Sequence, residues 1–125
     1  MPDDQFGLNK IPQLAIGVDD LDVCTAFYRD WLGLKFLFEV PTMSFFDCDG
    51  LRLMLSTLGH ERANSILYFD VADIQEAFET LKGRDVVFDD EPHVIHETDD
   101  LTLWMAFFKD PEENMLAIAS EVKKG

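Results

Sequence analysis

The sequence is poor in cysteine and has no long apolar run, and each shortage excludes a class of protein. Its two cysteines, Cys24 and Cys48, do not form the CxxC pair of a zinc or redox site, so we expect buried thiols. No apolar run reaches about 18 residues, and no basic segment precedes an apolar one. The sequence therefore predicts neither a transmembrane helix nor a signal peptide, and a cytoplasmic location is the default expectation.

Positive charge is also scarce. The chain has 10 lysines and arginines against 25 aspartates and glutamates, which gives a formal net charge of −15. Such a surface repels phosphate backbones and anionic lipids. We therefore expect no nucleic-acid partner and no membrane partner, and the acidity is expected to serve solubility.

The usual short catalytic motifs are missing as well. The sequence has no GxSxG, no glycine-rich phosphate loop and no HExxH, so no catalytic residue is assigned. What the chain does have is apolar surface: 47% of its 125 residues are hydrophobic, and eleven are phenylalanine. This length and composition predict one compact domain with an ordinary core.

The chain repeats itself. The stretch QLAIGVDDLD from Gln13 reappears as ILYFDVADIQ from Ile66, 53 positions later. Both alternate apolar and mixed residues, as a half-buried strand does, and both then run through an aspartate into a helical pattern. Internal repeats of this length indicate duplicated structural units.

Each predicted helix is followed by three strand-like runs and ends near a glycine, Gly33 or Gly83. The runs are LKFLFEV, SFFDCDG and LRLMLST in the first half, and DVVFDD, LTLWMAFF and NMLAIASEV in the second. We predict an α+β fold of two βαβββ modules, which form a curved eight-stranded sheet around a cleft. Module 1 spans about 11–57, the linker 58–64 and module 2 about 65–122, all within a single domain.

Alternation along the strands assigns side chains to the helix side or the cleft side. The predicted ligand-binding set on the cleft side is Gln13, Arg52, Met54, Tyr68 and Asp70. Two alternatives stay open at this point. Arg52 extends to the rim or pairs with an acid such as Asp70, and Gln13 hydrogen-bonds to backbone instead of to a ligand.

Aromatic residues complete the predicted site. Phe46 and Trp104 are included in the ligand-binding set, and Phe38, Phe45 and Phe107 also belong to strands beside the cleft. Together they predict an apolar pocket that can stack on a flat guest. The alternative for any one ring is packing in the core.

Three segments carry a resemblance to a known family: VDDLDVCTAFYRDWLGLKF, SFFDCDGLRLMLS and FFKDPEENMLAIAS. With FDVADIQEAFETLKGRDVVF between them, they resemble the vicinal oxygen chelate superfamily of glyoxalase I, bleomycin and fosfomycin resistance proteins and extradiol dioxygenases. The resemblance covers about residues 11–122. The turn reads DPEEN where the family usually has DPDGN.

The resemblance implies a divalent metal held by side chains at the first and last strand of each module. Those positions fall on Gln13, Met54, Ile66 and Ala117. Only the Gln13 amide suits a hard cation, because isoleucine and alanine have no donor and a thioether is a poor ligand. We therefore expect no metal and no other cofactor at this site, and a divalent metal elsewhere is the alternative.

Histidines offer one other place for a metal or a proton-transfer group. His93 and His96 fall on opposite faces of an extended segment, so they converge only if a bulge intervenes. His60 lies in the predicted linker. The expectation is that these are solvent-facing or edge-strand histidines.

The functional hypothesis is a glyoxalase/bleomycin-resistance-like protein that binds a small, partly apolar organic molecule in its cleft without the usual metal site. The alternative is a glyoxalase-like lyase or isomerase with a displaced or absent metal, so whether the chain is an enzyme stays open. An interaction module with a filled cleft is a third reading. The resemblance also implies a homodimer in which each cleft draws modules from both subunits.

Overall fold

The computed structural model describes residues 6–8, 10–58 and 65–124. The predicted linker 58–64, with His60, lies outside this part of the chain except for Leu58. In the described part, module 1 contains β1 (Gln13–Gly17), α1 (Leu21–Ala26), β2 (Lys35–Val40), β3 (Met43–Cys48) and β4 (Leu51–Ser56). Module 2 contains β5 (Leu67–Asp70), α2 (Ile74–Gly83), β6 (His93–Glu97), β7 (Leu101–Lys109) and β8 (Met115–Lys123).

The eight strands form two sheets of four. Sheet A has the order β1-β4-β3-β2, and sheet B has the order β5-β8-β7-β6. The pairs β1–β4 and β5–β8 are parallel, and the other neighbours are antiparallel. The predicted α+β fold with the βαβββ order repeated twice is confirmed. In the described residues no strand of sheet A is hydrogen-bonded to a strand of sheet B.

Both helices begin where the aspartates predict. The Asp20 carboxylate accepts a hydrogen bond from the Val23 amide, and Asp73 does the same for Glu76. Such caps satisfy amide groups that have no partner within the helix. After α1 the chain continues as a π-helical turn, Phe27–Trp31, and then reverses at Gly33, whose φ is +78°. Module 2 differs, since Gly83 is the last residue of α2 and the left-handed φ falls on Asp85.

One predicted strand is wrong. The run DVVFDD (85–90) is not a strand. The strand that follows α2 is β6, which begins at His93, eight residues after Asp85. Val86 is buried and Phe88 partly buried, so alternating burial imitates a strand. Phe88 makes only an isolated bridge with Phe108.

The two modules share one core. Buried residues of α1 and sheet A, such as Phe27 and Leu55, belong to the same apolar cluster as Phe78 of α2 and Phe108 of sheet B. The side of each sheet that contacts this cluster is here called the core face, and the opposite side the outer face. Hydrophobic burial of this kind is the main stabilising term in folding.

A polar clamp joins the modules inside this core. The Tyr28 hydroxyl donates to the Asp110 carboxylate at 2.9 Å, and both side chains are buried. Next to it, the Glu112 carboxylate accepts from the backbone amides of Asp19 and Asp20 at 2.6–2.9 Å. The turn between β7 and β8 is thereby fixed to the start of α1.

The clamp also accounts for two unreactive acidic groups. Burial raises the pKa of the Cys24 thiol above its ordinary value of 9.0, and the hydrogen bond to Glu112 raises this pKa further. Burial likewise raises the pKa of Tyr28, and the nearby Asp110 carboxylate adds to the effect. Neither group ionises readily, because the charge would be buried away from water and would also lie beside a carboxylate.

Both modules carry a β-bulge at the matching strand. The pairing of β2 with β3 shifts register between Phe36 and Phe38, and that of β6 with β7 shifts between Val94 and His96. A bulge changes which side chains share a face. In the described part of the chain, no helix is long and apolar enough to cross a membrane.

Candidate functional site

The outer face of sheet A holds the predicted polar pair and two phenylalanines. Gln13 is opposite Arg52 in the β1–β4 register, and the Arg52 Nε donates to the Gln13 Oε1 at 2.9 Å. The Arg52 guanidinium carbon also lies 6.0 Å from the centre of the Phe45 ring. Phe45 in turn stacks on Phe38 with ring centres 4.4 Å apart. An exposed surface of this kind offers a cation and a flat apolar area side by side.

Among the residues that the structure describes, Arg52 has no carboxylate partner. The expected ion pair with Asp70 does not form, and in the described residues the Arg52 side chain contacts Gln13 and Phe45 instead. The Gln13 side-chain oxygen accepts its hydrogen bond from the Arg52 side chain. The alternative that Gln13 hydrogen-bonds to the backbone is therefore not favoured. Arg52 and Gln13 are both exposed.

The outer face of sheet B is built from two rings over a small residue. Ala117 of β8 is opposite Tyr68 on one side and Phe107 on the other. The two rings meet edge to face with centres 6.1 Å apart. Ala117 is completely buried although it belongs to the outer face, whereas Tyr68 is 52% exposed. The methyl group of Ala117 therefore forms the floor of an aromatic pair.

The bulge in β6 places both histidines on this outer face. His93 is opposite Met105 and His96 is opposite Leu103, and both partners share the outer face with Phe107. The sequence placed His93 and His96 on opposite faces unless a bulge intervened. The bulge is present, so the two histidines share a face. The His93 Nδ1 lies 2.9 Å from the Glu91 carbonyl oxygen and 3.5 Å from the Asp90 carboxylate. Its ring centre is 6.4 Å from that of Phe107.

Two predicted ligand contacts point the other way. Phe46 is wholly buried on the core face, where its ring contacts Tyr28 and Phe36. Trp104 also packs against the core. The placement of both on the cleft side is wrong, because their strand positions share the parity of Leu53 and Ser120 on the core face. The outer faces instead carry Phe45, which is next to Phe46, and Phe107, which is three residues after Trp104.

The remaining predicted residues fall into two groups. Gln13 and Arg52 are in contact, and Met54 is opposite Phe45 on the same outer face. Tyr68 joins Phe107 on sheet B, and the exposed Asp70 is two residues further along β5. No hydrogen bond, ion pair or ring contact in the described residues links one group to the other. A single chain thus presents the predicted residues as two separate groups.

The four positions at which the family resemblance implies a metal do not fit a metal here. The Gln13 oxygen accepts from Arg52, a cation that would repel a metal ion. Met54 offers a thioether, and Ile66 and Ala117 offer no donor. Tyr68 and Phe107 cover Ala117. The described ranges contain no cluster of three or more histidine, cysteine, aspartate or glutamate side chains that could hold a metal ion.

The polar clamp is the feature that the sequence did not predict. The sequence shows the DPEEN turn only as a departure from DPDGN, yet its Glu112 side chain accepts from the two backbone amides that precede α1 of the other module. Residue 113, a glycine in DPDGN, is Glu113 with φ of +67°. The two differences from DPDGN, at Glu112 and Glu113, were the sequence feature that could have pointed to the clamp.

Comparison with known proteins fits this geometry. Residues 10–118 match the glyoxalase/bleomycin resistance protein/dioxygenase superfamily, and the chain belongs to that family. No functionally curated protein shows significant sequence similarity to it.

Solved structures share the fold at low identity. A lactoylglutathione lyase from Agrobacterium tumefaciens is 21% identical with a TM-score of 0.77, over 91% of this chain and 95% of that one. TnmS3, an antibiotic binding protein from Streptomyces sp. CB03234, is 18% identical with a TM-score of 0.74, over 93% and 98%. A glyoxalase/bleomycin resistance protein/dioxygenase from Alicyclobacillus acidocaldarius is 23% identical with a TM-score of 0.68, over 90% and 91%.

Proposed function

We propose that this chain binds a small organic anion with a flat apolar portion, and that it does so without a metal at the four usual positions. The observation that carries the proposal is the closed pair of Tyr68 and Phe107 over Ala117, at a position where relatives are expected to present a metal-binding glutamate. A ring pair stacks on a guest, whereas it cannot coordinate a cation directly.

The charge of the guest follows from Arg52. The Arg52 side chain has one hydrogen bond in the described residues, through Nε, so its terminal amino groups are available to a ligand. A guanidinium presents paired N–H groups that match a carboxylate. The stacked Phe38 and Phe45 beside it offer a surface for the apolar portion. TnmS3, the antibiotic binding protein of similar fold, supports an organic ligand.

The complete site is proposed to need two copies of the chain. Each chain carries one half-site on sheet A and one on sheet B, and in the described residues no hydrogen bond, ion pair or ring contact joins them. Both halves expose large apolar side chains, with Phe38 at 46% and Tyr68 at 52%. Exposed apolar area of this kind marks an interaction surface. Pairing module 1 of one copy with module 2 of another would bring Arg52 and the Tyr68–Phe107 pair to one cleft.

Calorimetric titration with 2-naphthoate and its neutral amide tests the proposal. Wild-type protein should bind naphthoate saturably, and Arg52→Gln should weaken that binding about tenfold while hardly changing amide binding, since a charge-assisted hydrogen bond is worth about 1.5 kcal/mol. Arg29→Gln is the matched control, because Arg29 is exposed and pairs with Asp30 on the surface. No saturable binding, or equal losses in both variants, would contradict the proposal.

Two further readouts test its other parts. Elemental analysis of protein purified without chelator should find no stoichiometric transition metal. A bound metal that disappears in Gln13→Ala would instead favour the lyase or isomerase alternative. Light scattering should find a dimer at the titration concentrations, and full-affinity binding by a monomer would contradict the two-copy site.

A further inference from the structure

We infer that the chain has a second ligand site, for a small apolar monocarboxylate, on the core side of the molecule between the two modules. A cavity of about 250 Å³ lies there. It is separate from the outer-face site, since its walls are core-face and helix residues. The apolar lining consists of Leu32, Leu34, Phe69, Val71, Ala77, Leu81 and Ile118.

The cavity persists because the modules meet imperfectly at this point. Leu32 and Leu34 follow the π-helical turn of module 1, and the other walls belong to β5, α2 and β8 of module 2. Leu34, Phe69 and Val71 stay only partly buried. Protein interiors are otherwise packed about as densely as organic crystals, so a gap of this size leaves apolar surface without partners. An apolar ligand would restore those contacts.

The mouth of the cavity supplies the charge preference. Arg84 is part of the lining, and its Nη1 donates to the Trp31 carbonyl oxygen at 3.0 Å, which holds the guanidinium in place. The exposed Thr80 adds a hydroxyl. A single cation at the edge of an apolar cavity favours a ligand with one anionic group.

The lack of an ion pair at Arg84 strengthens this preference. In a chain of net charge −15, Arg29 pairs with Asp30 and Lys124 with Glu97. No carboxylate is within ion-pair distance of Arg84 in the described residues. Its remaining N–H groups therefore stay available to a ligand carboxylate.

The cavity volume limits the size of the ligand. An apolar cavity of about 150 Å³ holds benzene, so about 250 Å³ holds roughly ten non-hydrogen atoms. A medium-chain fatty acid or a simple aromatic acid has this size.

Titration of the wild-type protein with hexanoate, followed by the methyl NMR signals of Leu32, Leu34, Val71 and Ile118, tests the site without any substitution. These signals should shift saturably, and 1-hexanol should bind at least several-fold more weakly. Unshifted methyl signals at millimolar hexanoate, or equal binding of the alcohol, would overturn the proposal.

Substitutions separate this site from the outer-face site. Arg84→Gln should weaken hexanoate binding about tenfold, and Ala77→Phe should abolish it by filling the cavity, while both keep 2-naphthoate binding. Arg52→Gln should do the reverse. Loss of naphthoate binding alone would sink the proposed function and leave this site standing, and unchanged hexanoate binding in folded Ala77→Phe would sink only the second site.

Discussion

The outer face of sheet A presents an arginine and an amide beside two stacked phenylalanines, whereas the outer face of sheet B closes two rings over an alanine. The core faces of the same sheets are alike. Leu53 and Leu55 of β4 correspond to Leu116 and Ile118 of β8, and all four are buried. The duplicated framework thus keeps the positions that pack in the core and varies those on the outer faces.

The hairpin turns show a second difference. In module 1, Asp49 and Gly50 form a two-residue turn between β3 and β4, which suits the twist of a hairpin because both have positive φ. In module 2, the turn between β7 and β8 spans residues 110–114 and contacts α1 of the other module. The longer turn acts as the clamp, and the shorter one only reverses the chain.

The largest expected effect comes from a substitution that breaks the clamp. Asp110→Ala should lower the free energy of unfolding by about 3 kcal/mol, because it removes acceptors for Tyr28, Asn114 and two backbone amides in a buried place. Chemical denaturation measures the change. Asp47→Ala is the control in the other hairpin, since Asp47 accepts one hydrogen bond from the exposed Gly50 amide. A loss at Asp110 no larger than at Asp47 would contradict the assigned role.

An intermediate effect depends on pH. The folded-state pKa of Cys24 is raised above 9.0, so below pH 9 the thiol is neutral in both states and its contribution to stability is complete. Above pH 9 the unfolded chain releases this proton and the folded chain keeps it, so stability should fall by up to about 1.4 kcal/mol per pH unit. Tyr28, whose pKa is raised above 10.0, should add to the fall at higher pH.

Denaturation curves at pH 8 to 10.5 measure this dependence. Cys24→Ala, which gives module 1 the residue found at Ala77 in module 2, should flatten the curve between pH 9 and 10. An unchanged slope in that variant would mean that another group causes the loss.

The smallest expected effect comes from exchanging residues in the two hairpin turns. Glu113→Gly should raise stability by about 0.5–1 kcal/mol, because φ of +67° strains a side chain and suits glycine. Gly50→Glu, at φ of +93°, should lower stability by at least as much. Thermal unfolding compares the two. Destabilisation by Glu113→Gly would show that the Glu113 side chain contributes more than its backbone costs.

Much of this was predictable because burial alternates along strands. The period-2 pattern identified the repeat and the order of elements, and it placed Gln13, Arg52 and Tyr68 on the outer faces. It failed at 85–90, where Val86 and Phe88 alternate into the core without forming a strand, and it was not applied to Phe46 and Trp104, which were chosen as aromatic residues of strands beside the cleft. Phenylalanine adjoins phenylalanine in SFFDCDG, so composition there does not reveal the parity of the strand.

The sequence alone determined the duplicated βαβββ framework and the absence of metal donors at Met54, Ile66 and Ala117, because periodicity and side-chain chemistry are local properties. Only the tertiary structure decided that Arg52 contacts Gln13 rather than Asp70, that two rings cover Ala117, that a bulge turns His93 and His96 to one face, and that Glu112 binds the backbone just before α1. Each of these joins residues distant in the chain or depends on strand register, which is set by the packing of the whole sheet.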